Sequence, residues 1–123
     1  MKKLLLIACL FSCTMIFAQN PVNFKTTKHS FGKIAQHKPA TYSFAFTNTS
    51  AKPVVVEIAT AECGCTTPVY PKEPVPPGKS SEIKVTYNAE AMGTFTKKVN
   101  VKLANVDAPV VLVIDGEVIV KKQ

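Results

Sequence analysis

The chain has 123 residues, a formal net charge of +7 at pH 7 and a hydrophobic fraction of 46%. All 15 basic residues are lysine, whereas arginine is the side chain favoured for bidentate recognition of phosphates and bases. The lysines are scattered and form no basic stripe, so nucleic acid is not expected as a partner.

The first eighteen residues differ in composition from the rest and predict a signal peptide. Lys2 and Lys3 give a short positive start, an apolar run follows, and Ala18 is a small residue at the expected exit. The apolar run is shorter than the roughly 20 residues of a membrane span, so no transmembrane segment is expected after processing. We therefore expect a signal peptide at 1–18 and a single domain at 19–123.

Export places this domain in the periplasm or outside the cell. A minor alternative is a lipoprotein, because Leu10-Phe11-Ser12-Cys13 resembles the motif in which the cysteine carries a lipid. In that case Cys13 would anchor the protein to a membrane surface.

Apolar and polar residues alternate with a period of two along the rest of the chain, which predicts strands. In the clearest run Tyr42, Phe44 and Phe46 share one face, so these three aromatic side chains are expected to point inward. Asn48-Thr49-Ser50 then predicts a turn. The same periodicity predicts strands at 22–26, 31–35, 41–47, 54–59, 82–87, 95–103 and 110–120.

Three features interrupt this pattern. Lys97 breaks the apolar phase of its strand and predicts a bulge or an exposed strand end, and Gly116 predicts a bend or bulge in the last strand. Five prolines between Pro68 and Pro77 predict a stiff extended loop that cannot be a central strand.

About seven short strands, separated by turn signals and without a sustained helical period, predict the fold class. We expect an all-β fold, specifically an immunoglobulin-like antiparallel β-sandwich. The chain has no tryptophan and no distant pair of cysteines in its mature part, so the sandwich is expected to be held by packing without a bridge between its sheets.

Common catalytic motifs are absent from the sequence, which has no nucleophile elbow, glycine-rich phosphate loop or His-Glu-x-x-His run. The two histidines, His29 and His37, lie in polar stretches near the first strands and are expected to be exposed and solvated. The acidic residues are few and spread out, with no evident pair for acid–base catalysis. We therefore expect a protein that is not an enzyme, and we assign no catalytic residue and no cofactor.

Cys63-Gly64-Cys65-Thr66 is the segment most suited to chemistry, because Cys63 and Cys65 are the only cysteines after the predicted signal peptide. On an extended strand their Cα atoms would be about 6.5–7 Å apart, at or beyond the upper limit for a disulfide. Gly64 permits a bend, so one interpretation is a strained bridge that is easily reduced.

Two other interpretations of the cysteine pair stay open. Two thiolates on one face are a natural clamp for Cu(I) or Zn(II), which makes Cys63 and Cys65 candidate metal ligands. His29, His37, Met92 and the carboxylates are the further donors in the chain. A redox pair is the third interpretation, although the usual Cys-x-x-Cys pattern at a helix start differs in spacing and setting.

Three stretches of the chain, taken together, resemble a known family. They are Tyr42-Ser43-Phe44-Ala45-Phe46-Thr47-Asn48-Thr49, then Cys63-Gly64-Cys65-Thr66, then Pro77-Gly78-Lys79 ahead of Ile83-Lys84-Val85-Thr86-Tyr87. They are similar to exported bacterial proteins with the domain of unknown function 1573, and the resemblance runs from about Phe31 to Val120. It implies an immunoglobulin-like domain related to those of cilia- and centrosome-associated proteins and of pilus chaperones. It marks Cys63 and Cys65 as positions of interest and supplies no activity.

These observations predict an exported, non-catalytic β-sandwich module that binds or supports a protein partner in the cell envelope. The alternative is a soft-metal site for copper or zinc, or a thiol redox site, at the Cys-Gly-Cys segment. Both hypotheses leave the specific partner and the oligomeric state open.

Overall fold

Strands form all the regular structure of residues 20–120, the part of the chain that the computed structural model describes. They are β1 Val22–Phe24, β2 Lys28–Ala35, β3 Ala40–Asn48, β4 Val56–Ala61, β5 Thr66–Val69, β6 Ser80–Tyr87, β7 Gly93–Leu103 and β8 Val110–Ile119. Residues 20–120 contain no helix, and hence none long and apolar enough to cross a membrane. The predicted signal peptide at 1–18 and the alternative lipid site Cys13 lie outside the described residues.

Two four-stranded sheets form the sandwich. The first sheet has the strand order β1-β3-β6-β5, and the second has the order β2-β8-β7-β4. Neighbouring strands are antiparallel except β2, which runs parallel to β8. The predicted sandwich is confirmed, with eight strands instead of about seven and with β1 and β2 divided between the two sheets.

The inward faces of both sheets supply one hydrophobic core. On β3, Phe44 and Phe46 are 0% and 2% exposed and Tyr42 is half-buried, so the predicted inward row of aromatic side chains is confirmed. Burial of each large side chain contributes about 1.5–3 kcal/mol, and a one-residue slip would turn all of them outward. Further fully buried side chains on β6, β7 and β8 are Ile83, Val85, Val99, Val101, Leu103, Leu112, Ile114 and Val118.

The proline-rich connection begins with a strand. The predicted loop from Pro68 to Pro77 is wrong at its start, because Pro68 lies inside β5. Asn88 donates its backbone N–H to Cys65 O at 2.9 Å, and the antiparallel alternation then turns the backbone of Thr66 and Pro68 to the open side of β5. Proline is tolerated there because β5 is an edge strand and the missing donor faces no neighbouring strand.

Lys97 lies in a regularly paired part of β7. β7 pairs with β8 without a register shift, so the predicted bulge at Lys97 is absent. In chain order, Val99 is the first β7 residue that pairs with β4, and its partner there is Ala61. Lys97 lies on the part of β7 that has no β4 neighbour, and it is half-buried.

Gly116 makes room for its neighbours and causes no register shift between its own strand and β7. It pairs in register with Phe95, and the bulge lies in the adjacent strand β2, between Ser30 and Lys33. A Cβ at Gly116 would be 2.9 Å from Gly32 O and 2.9 Å from Phe95 Cζ. The prediction of a bulge in the last strand is therefore wrong, because the extra residue lies in β2 and not in β8.

Asn48 holds two connections together at the end of β3. Its side chain is 0% exposed, and its Nδ2 donates to Lys52 O at 2.8 Å and to Val75 O at 2.9 Å. Its Oδ1 accepts from Ser50 N at 2.9 Å and from Ser50 Oγ at 2.7 Å. The predicted turn after Asn48 is confirmed, and the same side chain fastens the β3–β4 connection to the proline-rich loop.

Candidate functional site

Cys63 and Cys65 lie in the turn that carries the chain from β4 in the second sheet to β5 in the first. Both residues are half-buried, and their sulfurs form a disulfide. Their Cα atoms are 5.3 Å apart, which is within the usual range for a disulfide. This separation is shorter than the about 6.5–7 Å expected for an extended strand, because the chain turns at Gly64 and Cys65 and does not continue β4.

Backbone geometry does not explain the glycine between the two cysteines. The φ angle of Gly64 is not positive, and a Cβ at this position would have no heavy atom within 4 Å. The expectation that glycine removes a steric bar to the bend is therefore wrong. Because Gly64 is exposed, a side chain introduced there would project from the surface beside the disulfide.

Thr66 places a buried hydroxyl beside both sulfurs. Thr66 is 4% exposed, and its Oγ1 is 3.6 Å from Cys65 Sγ and 3.9 Å from Cys63 Sγ. Disulfide sulfurs carry no hydrogen, so the Thr66 hydroxyl is the donor, and the two contacts share its one hydrogen. The Thr66 backbone N–H also donates to Cys63 O at 3.4 Å. The sequence predicts no role for Thr66 beyond its place in the motif, because its buried position depends on β5, which the periodicity does not indicate.

The disulfide closes a very small loop, because the two cysteines are two positions apart in sequence. In the chain-entropy model, a loop of this size restricts the unfolded chain enough to contribute about 1.6 kcal/mol, against 2–5 kcal/mol for a typical structural disulfide. Stability is therefore a weak reason for the disulfide.

Three loops meet at the end of the sandwich that carries the disulfide, and we call this surface the cysteine end. It comprises residues 36–38, 63–66 and 88–92. Backbone hydrogen bonds join the loops: Asn88 N donates to Cys65 O at 2.9 Å, and His37 N donates to Ala89 O at 3.0 Å. The loop with the disulfide is thus fixed to the loop after β6, which is fixed to the loop after β2.

Side chains add to this connection. Gln36 Nε2 donates to Glu90 O at 2.9 Å, and His37 Nδ1 is 2.9 Å from Glu90 Oε2. His37 and Ala89 both have left-handed backbone conformations, with φ values of 65° and 58°. Such conformations are uncommon for residues other than glycine and persist where the surroundings hold them. The cysteine end is therefore a preformed surface and not a set of independent loops.

The two histidines have different environments. His29 is half-buried on β2, where it stacks on Tyr42 at a ring-centroid distance of 3.7 Å and meets Phe31 edge-on at 4.9 Å. The prediction that His29 is exposed is wrong, because β2 and β3 bring it between aromatic rings of the two sheets. His37 is exposed, as predicted, and lies at the cysteine end.

The predicted metal ligands come together only as a pair. Among residues 20–120, no group of three or more His, Cys, Asp or Glu side chains converges as a metal site. Cys63 and Cys65 are bonded to each other, and a disulfide must be reduced before its sulfurs become thiolate ligands. Met92 is 53% exposed at the cysteine end. Metal binding by Cys63 and Cys65 stays a prediction for the reduced protein.

Comparison with known sequences identifies one family. A model of the family described as "Protein of unknown function (DUF1573)" matches residues 22–118. This match covers all eight strands except the last residue of β8. Among curated proteins, no sequence matches the chain significantly.

Solved structures share the fold at low sequence identity. A protein of unknown function from Porphyromonas gingivalis W83 superimposes with a TM-score of 0.68 and 14% identity over 81% of this chain and 50% of that chain. The present chain thus spans about half the length of that protein. The ASH/PapD-like domain 7 of human CEP192 gives a TM-score of 0.72 and 8% identity over 87% of this chain and 93% of that domain.

The fold also occurs as part of an enzyme. The Vibrio cholerae protease VesB matches with a TM-score of 0.62 and 14% identity, over 80% of this chain and 32% of the protease. At such identities the similarity shows the fold alone. These neighbours agree with the immunoglobulin-like sandwich.

Proposed function

This chain belongs to the DUF1573 family of proteins of unknown function, and we propose that it is a non-catalytic, exported β-sandwich module that binds a protein partner in the cell envelope. The sequence, which has none of the common catalytic motifs, supports the non-catalytic part of this proposal. Export is supported by the pattern of residues 1–18.

The preformed cysteine end is the observation that carries the proposal. Binding residues in sandwich proteins are commonly found on loops at one end of a rigid scaffold. Here the loops are already joined by hydrogen bonds, such as the one from His37 N to Ala89 O, so ordering them costs little when a partner binds. The left-handed conformations of His37 and Ala89 are local strain of the kind often found at binding sites.

Loop contact is a better mode of binding than addition of a partner strand to β5. Strand addition requires free backbone donors along the open side of an edge strand. On β5, Thr66 already donates its N–H to Cys63 O, and Pro68 has no N–H. The open side from Thr66 to Pro68 therefore offers no free donor, so a partner that approaches the β5 edge has more to gain from the adjoining loops and their exposed side chains, including Met92.

Site-specific crosslinking tests this proposal. A photo-crosslinking amino acid replaces Met92, which is 53% exposed at the cysteine end, or Val111, which is 41% exposed on β8 and serves as the matched control. After irradiation of the native cells, we expect a discrete protein adduct from position 92 and much less from position 111. Equal adducts at both positions, or none at either, would contradict binding through the cysteine end.

The intact mass of the native protein tests export separately. Removal of residues 1–18 is expected, and a mass that includes them would contradict the predicted processing. A mass that starts at Cys13 with an added lipid would instead support the lipoprotein alternative.

A soft-metal site is the second candidate function. It is supported by the position of both cysteines in one turn, with their Cα atoms 5.3 Å apart. Reduction of the disulfide would therefore leave two thiolates side by side. Copper(I) and zinc(II) are the ions that such ligands favour. Zinc would need further donors, which a second molecule or a partner would have to supply.

A further inference from the structure

We propose that the Cys63–Cys65 disulfide is an exchange site for a thiolate, with Cys63 as the attacked sulfur and Cys65 as the leaving group. The inference rests on the proposed function, since it names the chemistry by which the cysteine end takes its partner. The ligand class is a cysteine thiolate, whether from a protein or from a small thiol. Exchange of this kind is stoichiometric and needs no turnover.

The two sulfurs differ in their surroundings. Both cysteines are half-buried, but of the two only Cys65 is among the residues that pack against the hydrophobic core. The Cys65 carbonyl is also fixed by the hydrogen bond from Asn88 N. Approach to Cys63 is therefore less hindered, whereas Cys65 is held in place after the bond between them breaks.

Thr66 lies where a leaving thiolate would need a donor. Its buried hydroxyl is closer to Cys65 Sγ, at 3.6 Å, than to Cys63 Sγ, at 3.9 Å, and these two sulfurs are the partners that the structure gives it. A hydrogen bond to a charged acceptor is stronger than one to a neutral acceptor, so this contact would strengthen as Cys65 becomes a thiolate. Stabilising the thiolate lowers the pKa of the leaving thiol and makes it leave faster.

The exchange replaces one disulfide bond with another. The incoming thiolate forms a bond to Cys63 Sγ, the bond between Cys63 and Cys65 breaks, and its electron pair leaves on Cys65 Sγ. The product is a mixed disulfide through Cys63. If the partner supplies a second thiolate, this thiolate attacks the partner's sulfur that is bonded to Cys63. A disulfide forms within the partner, and Cys63 leaves as a thiolate. The partner then holds one new disulfide, and Cys63 and Cys65 have gained the two electrons and take up protons from water.

Single-cysteine variants test which sulfur reacts. Cys65→Ser leaves only the Cys63 thiol in the processed chain, and Cys63→Ser leaves only Cys65. Each reduced protein is mixed with oxidised glutathione, and the mixed disulfide is followed by intact mass. We expect Cys63 to react at least roughly tenfold faster at equal thiolate fraction. Equal rates, or faster reaction at Cys65, would overturn the assignment.

Thr66 variants test its role as a positioning residue. In the Cys63→Ser background, Thr66→Val should raise the pKa of the Cys65 thiol by about one unit, read from alkylation rate against pH, because it removes one donor to a charged acceptor. In the otherwise native protein it should slow reduction of the disulfide by glutathione about threefold. Thr66→Ser keeps the hydroxyl and should restore both values. An unchanged alkylation profile in Thr66→Val would overturn this role, even if the variant were less stable.

A trapping experiment separates protein thiols from small thiols. In the Cys65→Ser protein, the Cys63 thiolate can attack a disulfide of the oxidised partner, which reverses the last step of the exchange, and the partner's second sulfur leaves as a thiolate. Because Cys65 is absent, this variant is expected to accumulate the mixed disulfide with a protein in its native cells, and Cys63→Ser is not. Only glutathione adducts would identify a small thiol as the ligand and would contradict a protein source. Loss of all adducts with an intact Met92 crosslink would overturn the exchange site but leave the binding proposal. Many turnovers per molecule with a dithiol substrate would instead contradict the non-catalytic function.

Discussion

Replacement of Asn48 by alanine tests how the connections at the far end of the sandwich are held. Asn48→Ala removes four hydrogen bonds from a side chain that is 0% exposed. Each typical hydrogen bond contributes about 1 kcal/mol net, and buried groups left without a partner cost more. Val75 O keeps its bond from Val54 N at 2.9 Å, which limits the loss on that side. We expect the free energy of unfolding to fall by about 3–4 kcal/mol, a large part of the 5–15 kcal/mol of a typical domain.

Urea unfolding measures this change, with Asn100→Ala as the matched control. Asn100 is exposed on β7, so its loss should change the free energy of unfolding by no more than about 0.5 kcal/mol. Circular dichroism is the suitable signal, since the chain has no tryptophan. The slope with urea should be unchanged in both variants, because the surface exposed on unfolding is the same. A loss below about 1 kcal/mol for Asn48→Ala would refute the assigned role of these hydrogen bonds.

Three further outcomes follow from the structure. Gly64→Ala should change the free energy of unfolding by less than about 0.5 kcal/mol in a urea titration, because its Cβ meets no atom within 4 Å; a larger loss would contradict the described turn. Gly116→Ala should lower it by about 1–3 kcal/mol, since its Cβ would lie 2.9 Å from Gly32 O and from the Phe95 ring, and a neutral result would contradict that packing. Native mass spectrometry of the reduced protein with Cu(I) and Zn(II) tests the metal alternative: if it is correct, metal is retained by the native pair and not by the Cys63→Ser/Cys65→Ser protein, and equal retention by both proteins would rule it out.

The sequence predicted the elements in which burial and strand period agree. In β3, Phe44 and Phe46 alternate with small polar residues, so one periodicity gives both the strand and its inward face. β5 was missed because it has four residues and contains Pro68, and the tolerance for proline there depends on its edge position. Strand order is set by pairing between distant segments, which local periodicity does not encode.

The candidate site was predictable in composition but not in arrangement. The segment Cys63-Gly64-Cys65 was recognisable because its cysteines are the only ones in the predicted mature chain. Its position in a turn between sheets, and the contact of Thr66 with both sulfurs, depend on where β4 ends and β5 begins. The connection to residues 36–38 and 88–92 joins segments that are far apart in the sequence, so no local pattern indicates it.

We expect the hydrophobic core to hold the sandwich together without the Cys63–Cys65 disulfide, which leaves that bond free for exchange. Urea unfolding of the oxidised and the reduced protein, under otherwise equal conditions, tests it most directly. We predict that the reduced protein keeps the fold and that its free energy of unfolding is lower by at most about 1.6 kcal/mol. Unfolding on reduction, or a decrease in the free energy of unfolding of more than about 3 kcal/mol, would show that the disulfide supports the fold and would contradict its assignment as an exchange site.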